Sequence, residues 1–184
     1  TRADRLAWAK VLFAHGQFRE AAELARTLAL ESATSDTDAS HKAVVLAVTA
    51  LLAAGALAGV RQVLDSVSPH GPDEEALHLA FVARTASLAG DYERVEQVAA
   101  SVRTLLSQVR PATAAETRVQ LATAHLACGR PNAAGAVFRG GFEKAKGPTA
   151  PSGSPTRAES LVRAATALAQ GDLKAARAPV RRSR

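Results

Sequence analysis

The chain has 184 residues, of which 47% are hydrophobic and only 4% aromatic, and its formal net charge is +6 at pH 7. This length and apolar content suffice to bury a sizeable core, which excludes a chain that is disordered throughout. The apolar residues are mainly Ala, Leu and Val. Because Ala and Leu favour helices, we expect an all-α protein whose helices approach each other through small side chains.

The first predicted element in chain order is a helical hairpin around Gly16. Apolar residues recur at helical spacing on both sides of this glycine, over residues 6–13 and 18–28. Glycine suits such a junction because a helix often ends in the left-handed conformation, which is costly for residues with a Cβ atom. These two stretches therefore form one predicted pair of helices.

The stretch around this glycine recurs four more times along the chain. The five copies centre on Gly16, Gly55, Gly90, Gly129 and Gly171. The intervals between these glycines lie in the thirties to low forties, a period that is typical of helical repeat arrays. The sequence therefore predicts ten helices in five antiparallel pairs, with the turns at these glycines.

The segments between the copies predict the domain organisation. Connectors rich in Ser, Thr, Asp and Pro occupy residues 31–41 and 68–75. Residues 147–156 contain three prolines and two glycines and predict a loop. We therefore expect four hairpins over residues 1–146, this loop, and a fifth hairpin with a basic tail over residues 157–184. The last helix should kink or end near Ala178, because Pro179 lies in its path.

The second copy contains an uncharged stretch, residues 43–60, which approaches the length of a membrane span. It is rich in Ala, lies between Lys42 and Arg61, and carries Gly55 in register with the other turns. A hairpin covered by neighbours on two sides explains its apolar character. We expect a buried repeat and no membrane partner.

The positive charge is concentrated at the C-terminal end. Residues 173–184 contain five basic residues and no acidic one, which leaves 18 basic and 17 acidic residues elsewhere. A nearly neutral body offers no extended surface for phosphates, so we expect no specific nucleic-acid partner and a tail that is a solvated helix end. The basic residues of the tail are Lys174, Arg177, Arg181, Arg182 and Arg184.

The single cysteine, Cys128, rules out an internal disulfide framework and is compatible with a reducing compartment. The first residues show no basic segment followed by an apolar core and a cleavage site. These two features predict a cytoplasmic protein.

The first copy resembles the tetratricopeptide repeat (TPR) family. Trp8 and Leu12 stand where that family favours large apolar residues, and Ala9 stands at a small-residue site. Gly16 takes the turn position, Phe18 takes the aromatic position after the turn, and a Glu-Ala-Ala run follows at residues 20–22. The later copies are degenerate, with Val95 at a small-residue site and Pro131 at the aromatic site. The resemblance implies a right-handed solenoid of about five antiparallel helical hairpins, with Trp8 at least half buried between helices. Related helical-hairpin arrays remain an alternative.

The same resemblance implies a function carried by the concave face, which the first helices of the hairpins line. Such a module binds a protein or peptide segment, and degenerate repeats of this kind often form the sensor or scaffold part of a larger bacterial regulator. Separated cations among hydroxyl groups would suit an acidic segment or another domain of the same chain. The groove residues implied by register are Lys10, Phe13, Lys42, Thr49, Arg84, Ser87, Glu116 and Thr123.

The sequence offers no catalytic residues, metal site or cofactor site. Glu75 and His78, and His125 and Cys128, have helical spacing, but each pair lacks further ligands, so we expect exposed surface pairs. No Gly-rich phosphate loop or nucleophile elbow is present. We expect a binding protein that is not an enzyme. The alternative is an enzyme, or an enzyme accessory, whose helical array encloses a small molecule in a deep apolar pocket.

Overall fold

The computed structural model describes residues 1–32, 37–139, 157–172 and 175. Within them the chain forms helices and no strand, so the all-α prediction is confirmed. The nine helices of this described part are α1 (Arg2–Ala14), α2 (Phe18–Ser32), α3 (Thr37–Ala53), α4 (Leu57–Asp65), α5 (Pro72–Leu88), α6 (Tyr92–Leu105), α7 (Pro111–Ala127), α8 (Pro131–Arg139) and α9 (Arg157–Ala169).

The helices belong to two compact units, Thr1–Ser68 and Pro69–Arg184. In the first unit α2 packs against α1 and α3, and α3 packs against α4. In the second unit α5 packs against α6 and α7, while α7 also packs against α8 and α9. The first helices of successive hairpins in the second unit therefore lie side by side, in the order α5, α7, α9.

All five predicted turns are present, and they share one geometry. The glycines have φ between +68° and +79°, in the left-handed region. In the third turn the Gly90 N–H donates to the Ser87 carbonyl, and the Asp91 N–H donates to the Ala86 carbonyl at 2.9 Å. The other four turns repeat both bonds at the same offsets, a Schellman motif in each case. The predicted turn positions are thus confirmed.

The second helices α2, α4, α6 and α8 each begin two residues after a turn glycine. Asp91 caps α6, because its Oδ1 accepts from the Arg94 N–H at 3.1 Å. After the fifth turn, the Asp172 Oδ1 accepts from the Ala175 N–H at 2.9 Å in the same way. The rest of the predicted tenth helix lies outside the described residues, as do the predicted loop at 147–156, the basic tail and Pro179.

Small side chains dominate the core, as the composition predicts. Alanines at less than 1% exposure recur along α2, α3, α5 and α7. Among the largest fully buried side chains, Leu121 of α7 packs with Val98 and Val102 of α6. Helices lined by alanine approach closely, so each of these larger residues fills much of the local core.

The prediction that Trp8 is at least half buried is wrong, since 57% of it is exposed and its neighbour Ala9 is buried instead. Trp8 and Leu121 of α7 stand at the same offset before the turn glycines of their hairpins. Leu121 is buried because α6, from the preceding hairpin, packs on that side of α7. No described helix covers the corresponding side of α1, where Trp8 is exposed.

The uncharged stretch at residues 43–60 is divided between α3 and α4 by the turn at Gly55. Along the part of the chain that the structure describes, no helix is both long enough and apolar enough to cross a membrane. Buried residues of this stretch include Ala47, Val48 and Val60, which belong to the core of the first unit.

Candidate functional site

The eight predicted groove residues occupy equivalent positions of the first helices. They share three offsets from the turn glycine of their hairpin, so they lie on one face of α1, α3, α5 or α7. We call this set the inner-face positions. Four of them lie in each unit, and we describe the two sets separately.

In the first unit, the two predicted groove lysines, Lys10 and Lys42, are exposed. Thr49 is half buried, and its hydroxyl donates to the Val45 carbonyl at 2.7 Å within α3. The threonine proton is therefore engaged by its own helix.

Phe13, also in the first unit, is half buried and serves mainly as a packing residue. It lies against the buried alanine cluster of Ala21, Ala22 and Ala50. Its ring centroid is 5.3 Å from that of Phe18, across the first turn. Phe13 thus closes the hairpin and offers a partner only its remaining exposed edge.

In the second unit, three of the predicted residues bond within their own helices. The Ser87 hydroxyl donates to the Arg84 carbonyl at 2.8 Å, and the Thr123 hydroxyl donates to a carbonyl one turn earlier at 2.6 Å. Glu116 accepts from the Gln120 amide at 2.7 Å. These bonds leave the hydroxyl oxygens able to accept but use their protons.

Arg84 differs from the other three inner-face positions of the second unit because its Nε has no hydrogen-bond partner among the described residues. Its side chain is half buried, and the Nε atom is buried. Burial lowers the pKa of this guanidinium, which nevertheless stays charged at neutral pH. α5 therefore holds a partly desolvated cation on the inner face.

Arg118 of α7 is a second arginine in a similar state, and the sequence did not predict it as a site residue. Its Nε is also buried without a hydrogen-bond partner among the described residues, and burial is the main cause that lowers its pKa, opposed by Glu159. Its offset from Gly129 places it outside the inner-face positions. Arg163 lies near it, bonds to Glu159 at 2.5 Å and stacks 5.0 Å from the centre of the Phe138 ring.

The predicted exposed pair of His125 and Cys128 is wrong, because His125 is buried and Cys128 is half buried. The His125 Nδ1 lies 3.6 Å from the Glu96 Oε1, and Arg130 bonds to the same carboxylate oxygen at 2.6 Å. Of the other pair, Glu75 is exposed and His78 is half buried. Among the described residues no group of three His, Cys, Asp or Glu side chains could hold a metal ion.

Acidification is expected to destabilise the second unit through His125. Burial lowers the pKa of His125 below its ordinary value of 6.5, and Arg103 and Arg130 lower it further, whereas Glu96 raises it. The folded state therefore binds fewer protons than the unfolded state. The stabilisation is complete above about pH 6.5 and is lost as the pH falls through the folded pKa.

Urea unfolding followed by circular dichroism at a series of pH values would measure this dependence. His125→Gln should flatten the curve below about pH 6.5, because glutamine does not titrate. An equal slope in the wild type and in His125→Gln would contradict the assignment.

No known protein-family model matches the chain, and no curated protein or solved structure matches it. The function is therefore inferred from the geometry of the described residues.

Proposed function

We propose that the chain is a protein- or peptide-binding repeat module, a right-handed solenoid of TPR-like hairpins that acts as a scaffold or regulatory sensor through its concave face. Five turns with the same backbone geometry support a repeated hairpin unit. The side-by-side packing of α5, α7 and α9 supports a face lined by first helices. The proposal assigns the chain no reaction of its own.

The observation that carries the proposal is the state of Arg84. Several arginines of the structure are paired with carboxylates, as Arg5 is with Glu31 and Arg110 is with Asp73. Arg84 has no such ion pair among the described residues, although it is more buried than Arg110. A partly desolvated guanidinium forms strong charge-assisted bonds with a carboxylate, often two at once.

The partner that fits is an acidic segment, either of another protein or of another domain of the same chain. A side-chain or C-terminal carboxylate would pair with the Arg84 guanidinium, which has no ion pair among the described residues and is only partly buried. The hydroxyl oxygen of the half-buried Thr123 could accept from a backbone N–H group of the same segment, because only its proton is engaged, whereas Ser87 is buried.

Arg84→Met tests the proposal, since methionine keeps much of the length of the side chain and removes its charge. We expect it to weaken binding of a fluorescein-labelled oligoglutamate peptide by about tenfold or more, as measured by fluorescence anisotropy. The same change should raise the free energy of unfolding by about 1 kcal/mol, because an unpaired, partly buried charge is removed. Loss of binding could then not be attributed to unfolding.

Two controls make the experiment specific. Arg94 is exposed on α6 of the same hairpin, so Arg94→Met removes an equal charge and should change binding less than about twofold. An oligoglutamine peptide of equal length should not bind. Equal losses of oligoglutamate binding in the two variants, or no binding to the wild type, would show that Arg84 is not a recognition site for acidic segments.

A further inference from the structure

The feature that carries a further inference is an exposed apolar row along α9. The row consists of Ala158, Leu161, Ala165 and Leu168, with Leu161 54% and Leu168 55% exposed. Its members are spaced by three or four positions, which places all four side chains on one face of the helix. The opposite face is buried in the second unit, where α9 packs against α7 and α8.

The equivalent positions are less exposed in the preceding first helices. At the same offsets from the turn glycine, Leu77 and Ala80 of α5 and Val119 of α7 are buried, whereas Arg84 of α5 and Thr123 of α7 are half buried. Both α5 and α7 have a further first helix beside them, and none of the described helices takes that place beside α9. Three members of the row, Ala158, Ala165 and Leu168, stand at the offsets of the inner-face positions, so α9 carries apolar residues where α5 carries Arg84.

The row is complementary to itself in size. If two α9 helices cross antiparallel about a twofold axis at the level of Arg163, Leu161 stands opposite the second copy's Ala165, and Leu168 stands opposite the second copy's Ala158. Each large side chain then meets a small one, and the symmetry repeats both contacts. Alternation of large and small residues across facing positions lets two helices interdigitate closely.

Charge also favours a second copy over a charged partner. None of the four residues in the row is charged, so an acidic or basic segment would find no ion pair there. The adjacent charged side chains Glu159 and Arg163 bond to each other and are less exposed than the row. The row is thus distinct from the Arg84 surface in its chemistry.

We propose that this chain self-associates through an antiparallel, twofold pairing of α9 with α9 of a second copy, with Leu161 and Leu168 packed against alanines of that copy. α9 has 13 residues, so the row spans about three turns. A contact of this length buries much less than the roughly 800 Å² per partner of a standard stable interface. The dimer is therefore weak and forms reversibly with concentration.

Sedimentation velocity of the complete chain over a concentration series tests the proposal with three variants. Leu161→Ala leaves a gap on both sides of the axis, and Ala165→Leu brings leucine against leucine. Each should weaken dimerisation by about tenfold. The double variant Leu161→Ala with Ala165→Leu restores a large-on-small pair and should return the association constant to within about threefold of the wild type.

This design separates specific helix pairing from nonspecific hydrophobic association. Ala165→Leu adds apolar surface, so it should strengthen a nonspecific contact and weaken the paired one. Leu30 is a comparably exposed leucine on α2, and Leu30→Ala should leave the association constant unchanged. Circular dichroism of each variant shows whether α9 has stayed folded, since all changes exchange good helix formers.

Three outcomes would overturn the proposal. The first is a wild-type chain that stays monomeric into the submillimolar range, which would mean that something other than a second copy covers the row. The second is tighter association of Ala165→Leu alone. The third is a double variant no better than the single ones. Arg84→Met should leave dimerisation unchanged, so this result is independent of the test of acidic-segment binding.

Discussion

Replacing Phe81 with alanine is expected to lower the free energy of unfolding of the second unit by about 3–5 kcal/mol. Phe81 lies in α5, is 2% exposed and is among the largest fully buried side chains of the structure. Most buried hydrophobic residues of the second unit are alanine and valine, whose short side chains can fill little of the space left by a phenyl ring. A cavity would therefore remain, and its cost adds to the lost transfer free energy.

Urea titration monitored by circular dichroism measures this change. Tyr92 offers the matched control because it is an aromatic residue of the same hairpin with 48% of its surface exposed. Tyr92→Ala should cost less than about 1 kcal/mol, and the exposed position of Trp8 predicts the same for Trp8→Ala. A Phe81→Ala effect as small as that of Tyr92→Ala would show that α5 does not form the centre of this core.

Gly90→Ala is expected to destabilise the second unit by about 1–2 kcal/mol, the usual cost of the left-handed conformation for an L-residue with a Cβ atom. Gly90 has φ +79°, and nothing lies within 4 Å of a Cβ atom built at this position. The cost therefore comes from the backbone conformation alone and not from a clash with neighbouring groups. Because the five turns share this geometry, the substitution tests the whole set of Schellman motifs.

Gly71 is the control for this prediction. It precedes α5 with an extended backbone at φ 160°, and a Cβ atom there would also meet nothing within 4 Å. Gly71→Ala should change the free energy of unfolding by less than about 0.5 kcal/mol or raise it slightly, since alanine restricts the unfolded chain. If both substitutions had equal effects in urea titrations, the left-handed conformation would not explain the cost at Gly90.

The turns could be predicted from the sequence because their causes are local. A Schellman motif involves only a few consecutive residues, and the conformational freedom that it requires is a property of glycine itself. The recurrence of Gly16, Gly55, Gly90, Gly129 and Gly171 was therefore enough to place all five hairpin junctions. The helical secondary structure could be predicted from the spacing of the apolar residues and from the abundance of Ala and Leu.

The candidate site could be predicted only in part. Its offset from the turn glycine placed Arg84 among the inner-face positions. The spacing of residues does not show, however, whether a hydroxyl or guanidinium proton already makes a hydrogen bond within the protein. Ser87 and Thr123 bond to their own helix, whereas the Arg84 Nε has no partner among the described residues. Arg118 was missed because its burial depends on the helices beside it, and its position in the repeat carries no signal.

The sequence by itself thus determined the all-α class, the hairpin as the unit and the positions of the turns, all of which depend on interactions between residues close in the chain. The tertiary structure decided burial, which depends on whether another helix lies beside a given face. Trp8 and Leu121 have the same offset from their glycines, yet Trp8 is exposed and Leu121 is buried, because α6 packs on that side of α7 and no described helix covers that side of α1. The leucines of α9 are likewise exposed, although the residues at the equivalent positions of α5 and α7 are buried or half buried.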